Sequence, residues 1–206
     1  MRSRGQGPGA RGQLKTNARR LAFNWPLAPG PWPLLLLAAF IAHAEIIDRI
    51  AVTVDKQVIA ESDVVRYLRV AAFLDHKPVD LSASARREAA GRLVDEILIL
   101  HEAADSHFTL PAKEDAPNLV DMQKPQFGSE EAYRAALAMY QITEADLADH
   151  LLSGLKALRF TDLRFRPEIQ VTDPELLNER IMQALDMWLE TARKQSRIEY
   201  REAAFK

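Results

Sequence analysis

The chain has 206 residues, of which 27 are basic and 29 acidic, and it contains no cysteine. The charges are segregated: residues 1–44 carry six Arg or Lys and no acid, which leaves 21 basic against 29 acidic residues, a charge of −8, over 45–206. An acidic body argues against nucleic acid and anionic lipid as partners, and the missing cysteines exclude disulfides, a thiol nucleophile and a lipid anchor on cysteine.

The N-terminal stretch reads as an export signal. Arg2, Arg4, Arg11, Lys15, Arg19 and Arg20 form a basic region, residues 34–42 (LLLLAAFIA) an apolar run, and Ala42-His43-Ala44 a small-residue cleavage site. We expect a secretory signal peptide over 1–44, cut before Glu45, and export to a bacterial periplasm or the outside. The apolar run is about half the length a spanning helix needs, and an uncleaved anchor is the alternative. The remaining 162 residues suit a single domain.

Residues 46–54 (IIDRIAVTV) are β-branched and mostly alternate, with Ile50, Val52 and Val54 expected on one face. Asp55-Lys56 predicts a tight turn and Val58-Ile59 a return strand. Residues 62–75 predict a helix with Val65, Leu68, Ala72 and Phe73 inward, stopped at His76-Lys77-Pro78. Residues 86–107 predict the central helix, capped by Ser82 or Ser84. Its stripe is Ala90, Leu93, Ile97, Leu100 and Ala104, widened by Val94 and Leu98, with Ile99 and Ala103 on the far side.

Between Pro111 and Gly128 three prolines interrupt the pattern, and at most a turn or two of helix is expected around 118–122. Ser129 predicts an N-cap for the next helix, and Thr143 with Asp146 a capping box for one that reaches Phe165. That helix shows Leu147, Leu151, Leu155 and Leu158 in a stripe. Residues 168–171 predict an extended link, and Thr172 with Glu175 a second capping box. Leu177, Ile181, Ala184, Leu185, Trp188 and Ala192 form the last amphipathic stripe. Residues 197–201 alternate as a strand, whose partner must be the N-terminal hairpin.

Chemistry-bearing motifs are sparse. His101-Glu102-Ala103-Ala104-Asp105 falls one residue short of the H-E-x-x-H zinc pattern and has no third ligand near it in sequence, so His101 reads as a core or boundary residue. Over 45–206 only Gly91, Gly128 and Gly154 occur, too few for a phosphate loop, and no cofactor or metal is expected. Met122, Phe127, Tyr133, Met139 and Tyr140 cluster in sequence. They read as ordinary packing or, functionally, as a soft peptide-binding surface, because thioethers and amphipathic rings adapt to varied partners.

Five blocks taken together resemble the SurA family of periplasmic chaperones. They are IIDRIAVTVDKQVIAESDVVRYLR at 46–69, EAAGRLVDEILILHEAADS at 88–106, EEAYRAALAMYQITEADLADHLLSGLKALRF at 130–160, IQVTDPEL at 169–176 and WLETARKQSRIEY at 188–200. The resemblance implies a mainly α fold: a helical chaperone domain of the SurA N-terminal type, 45–167, with a returning C-terminal helix and strand, 168–206. A small β-sheet would join the N-terminal hairpin to the C-terminal strand. The family's parvulin prolyl-isomerase domains have no counterpart here, since 168–171 alone separates the two parts, and the family's third small helix looks degraded by the prolines of 111–125.

The implied function is an ATP-independent periplasmic chaperone, not an enzyme. It would hold unfolded polypeptides, above all outer-membrane proteins, in an apolar groove without isomerase activity. A dedicated assembly partner of one protein is the alternative, with a residual prolyl isomerase or a metal hydrolase at His101 behind it. A homodimer formed by exchange of the terminal helix and strand is compatible with this arrangement.

Overall fold

The computed structural model describes residues 48–206. The expected signal peptide over 1–44, its cut before Glu45, and Ile46 and Ile47 of the expected first strand lie outside the described residues. Those described fall within one compact unit.

Strands β1 (Ile50–Val54) and β2 (Gln57–Ala60) form an antiparallel hairpin through Asp55-Lys56. The turn works without glycine because Asp55 takes a left-handed φ of 52°, which a short polar side chain tolerates. Its backbone N–H donates to the Arg197 carbonyl at 2.9 Å, and its carboxylate accepts from the Arg197 N–H at 2.9 Å. Residues 198–200 form β3 (Ile198–Tyr200), paired antiparallel to the other side of β1, with Val52 opposite Tyr200 and Val54 opposite Ile198. The order is β2-β1-β3, so the two ends of the described unit meet in one sheet, as the alternation predicts. One expectation fails. The register shifts between Ile50 and Val52, so Ala51 and Val52 are both buried while Ile50 turns out to solvent.

Six α-helices complete the described unit, and with the small sheet they make the fold mainly α, as expected. They are α1 (Glu61–Leu74), α2 (Ala83–Asp105), α3 (Ala116–Asp121), α4 (Glu130–Tyr140), α5 (Glu144–Phe165) and α6 (Pro174–Gln195). Caps mark most starts. Ser82 accepts from the Ala85 N–H, Ser129 from Ala132, and Thr143 from Asp146, whose carboxylate returns a bond to the Thr143 N–H at 2.8 Å. The cap of α6 is Asp173, accepting from Leu176 at 2.9 Å. The expected Thr172 box is therefore displaced by one residue, because Pro174 occupies the first helical position and suits it.

The proline-rich stretch is more regular than expected. Pro117 lies in the first turn of α3 and Pro125 in that of a 3-10 turn, Lys124–Phe127, where no helical N–H is required. The expected turn or two of helix is present as α3. Residues Arg166–Glu168 continue α5 as a 3-10 turn, and the expected extended link starts one residue later, at Ile169, whose backbone is extended.

Three helices end alike. After α1, α2 and α4 the chain turns through His76, His107 and Gln141 at φ 54°, 56° and 55°. The next N–H in each case reaches back to the carbonyl of Ala72, Ala103 or Leu137. These are Schellman closures made without glycine.

The buried side chains form three clusters. The first joins the sheet to α2 through Val52, Val54, Ala90, Val94 and Phe205. The second packs α1 against α3, α4 and the start of α5 through Val70, Phe73, Tyr133, Ile142 and Leu147. The third packs the end of α2 against α5 and α6 through Ile99, Ala103, Phe160, Ile181 and Leu189. Helix α2 serves the first and third, which makes it central as its sequence predicts. The burial phase differs in detail. Val94, Leu98, Ile99 and Ala103 are buried while Ala104 is exposed, because α2 is covered from two sides. In α1 the most buried valines are Val64 and Val70 rather than Val65, and in α5 Leu152 and Phe160 are buried while Leu158 faces solvent.

Candidate functional site

The five residues singled out in the sequence do not form one surface. Phe73 stacks on Phe127 with ring centroids 4.9 Å apart, and Tyr133 and Tyr140 meet it edge-on at 6.2 and 5.7 Å. Phe127, Tyr133 and Tyr140 are thus brought together as the wall around Phe73, and Tyr133 is fully buried. Met122, at the end of α3, and Met139, on α4, are 70% and 71% exposed and belong to none of the clusters. The aromatic part of the expected peptide surface packs on the core, because two short elements, the Lys124–Phe127 turn and α4, need large rings to cover one phenylalanine.

A better candidate is a groove of about 260 Å³ built from β2, α1, α2 and α5. Its apolar wall is aliphatic: Val58 and Ile59 from β2, Val70 from α1, Leu93 and Ile97 from α2. Val58 stands on the outer strand of the sheet and is 53% exposed. Facing this wall is a polar side. Tyr67 of α1 meets the His150 ring of α5 edge-on at 5.1 Å. Burial raises the Tyr67 pKa and lowers that of His150, so both are neutral at pH 7.

Carboxylates line the rest. Arg66 bridges Asp63 at 3.2 Å and Asp146 at 3.3 Å. Burial pushes Asp146 upward, but the hydrogen bonds from Thr143 and the charge of Arg66 outweigh it and hold the carboxyl below its usual range. Glu96 of α2 has the opposite balance. Burial raises its pKa, opposed by a hydrogen bond from Ser153 and the charge of Lys156. A carboxyl kept at this boundary suits recognition of a hydrogen-bonding or cationic group.

These residues carry little local signal. Glu96, next to Asp95, and Ser153, between Leu152 and Gly154, look like ordinary wet-face residues of long helices, and the groove exists only once four elements meet. The His101 helix face gathers no metal set: among the described residues no three of His, Asp or Glu stand close enough to hold an ion. No protein-family model matches the chain, and no curated protein is significantly similar to it.

Proposed function

We propose that the chain is an ATP-independent chaperone module of the bacterial periplasm. It holds unfolded outer-membrane or secreted polypeptides without isomerase activity. The observation that carries the reading is the groove itself: an apolar wall in which Val58 of the outer strand β2 is exposed and Leu93 and Ile97 are half-buried, while Ile59 and Val70 are buried. An extended client segment can bury alternate side chains there and add its backbone beside β2, the combination that gives affinity with little sequence demand. Shallow apolar burial releases a client as readily as it binds one, so capture and release need no nucleotide. The excess of acidic residues keeps a protein with an open apolar wall in solution.

The test is aggregation suppression. The purified protein is added without ATP to a urea-unfolded outer-membrane barrel protein and to an unrelated soluble protein, and light scattering is followed after dilution. Suppression of the barrel client near stoichiometric amounts is expected. Failure with both clients overturns the general-chaperone reading and leaves one dedicated partner, to be sought by crosslinking.

A further inference from the structure

We infer that the groove selects cationic extended segments, in which Lys or Arg alternates with aliphatic or aromatic side chains. The inference rests on the polypeptide-binding reading above and narrows its substrate class. The aliphatic wall alone would accept any apolar side chain, but the polar side carries four carboxyl groups against one guanidinium. Asp63, Glu96, Asp146 and Asp149 line the groove, and Arg66 is the single Lys or Arg among the lining residues. Arg66 is shared between Asp63 and Asp146, so its charge is already spent on two carboxylates. Lys156, one turn beyond Ser153, acts on Glu96.

Asp149 is exposed and makes no ion pair among the described residues. It also borders a second hollow, of about 440 Å³, on the other side of α5. There Lys124 is held by Asp121 at 2.8 Å and faces Glu144 at 3.8 Å. Asp149 is therefore the one residue that lines both hollows, and Lys113 and Lys124 are the cations of the second. An acidic segment would bring like charges into a partly desolvated groove, whereas a cationic one finds complementary partners there.

Three fluorescent peptides test this. They share the same alternating Leu and Tyr positions and differ only in the intervening residue: Lys, Ser or Glu. Binding is read by anisotropy. At about 20 mM salt the Lys peptide is expected to bind at least about tenfold more tightly than the Glu peptide, and the ratio to shrink severalfold at about 0.5 M salt. Asp149→Lys, at an exposed position, should weaken the Lys peptide severalfold more than the Ser peptide, so that the Lys-to-Ser ratio falls. Equal binding of all three peptides overturns the charge selectivity while leaving the polypeptide-binding reading intact. Binding of none overturns both. A Lys preference unaffected by Asp149→Lys overturns the placement of selectivity in this groove.

Discussion

The Tyr133 hydroxyl is buried and has no hydrogen-bond partner, although its ring is packed against Phe73 and Phe127. Burial, aided by the nearby Glu144 carboxylate, pushes its pKa up to about 12, so it stays neutral throughout the physiological range. An unpaired buried hydroxyl costs about 1–3 kcal/mol. Tyr133→Phe should accordingly raise stability by about 1 kcal/mol, read as a higher urea midpoint with an unchanged slope. Two groove residues set opposite pH dependences. His150 has a folded pKa below its ordinary 6.5. The unfolded chain then binds more protons as pH falls, and stability is lost from about pH 6.5 down through the depressed value. Glu96 has a folded pKa above its ordinary 4.5, so its share of stability is present below that value and is lost as pH rises through the folded one. Denaturation measured across pH should show a shallower acid limb for His150→Gln. Glu96→Gln should gain stability at pH 7 and none below about pH 4, where both forms are neutral.

At the scale of the element, the ends of α1, α2 and α4 carry a cost that glycine would remove. A residue with a Cβ in the left-handed region is unfavourable by about 1–2 kcal/mol, offset in part by the greater unfolded-state freedom of glycine. Gln141 is the cleanest case, since Ile142 and Leu137 on either side of its closure are buried and fix the turn. Gln141→Gly should raise the unfolding free energy by about 0.5–1 kcal/mol without changing the helix content seen by circular dichroism. The caps at Ser82, Ser129 and Thr143 were legible because they are decided within four residues of sequence. So was the pairing of the terminal strand, because an alternating segment with one available hairpin has one place to go. Burial phase was not legible to the residue. Ala104 and Leu158 fit their stripes yet face solvent, while Ile99 and Ala103 are buried, because which flank of a broad stripe is covered depends on neighbours distant in sequence. The Asp173 cap and the early start of the helix at 116–121 were missed for a nearer reason: proline reads as a breaker until its place in the first turn is known. For the site, Met122, Phe127, Tyr133, Met139 and Tyr140 showed that bulk was concentrated there. They did not show whether it faced in or out, and the groove took shape only where four elements converge.

At the scale of the whole molecule, Arg86 ties three distant parts together. Its guanidinium donates to Glu61 at 3.2 Å, to the Ala204 carbonyl at 3.3 Å and to the Lys206 carbonyl at 2.8 Å. Beside it Arg87 pairs with Glu202 and lies over the rings of Tyr200 and Phe205, 5.0 and 5.6 Å from their centroids. Arg86→Met keeps the length of the side chain and deletes the bonds. It should cost about 2 kcal/mol and release amide protection at 202–206 in hydrogen exchange, leaving α3 and α4 protected. The sheet that this clamp secures joins residues almost a whole chain apart: the Asp55 carboxylate and the Arg197 N–H are separated by 142 positions. Contacts of that span are slow to form, since the intervening loop must be ordered before the pairing rewards it. A partly folded chain therefore shows one open edge of β1, and an uncovered Ala51–Val54 face, until residues 198–205 join it. Until then the protein is itself an unfinished sheet in need of a strand.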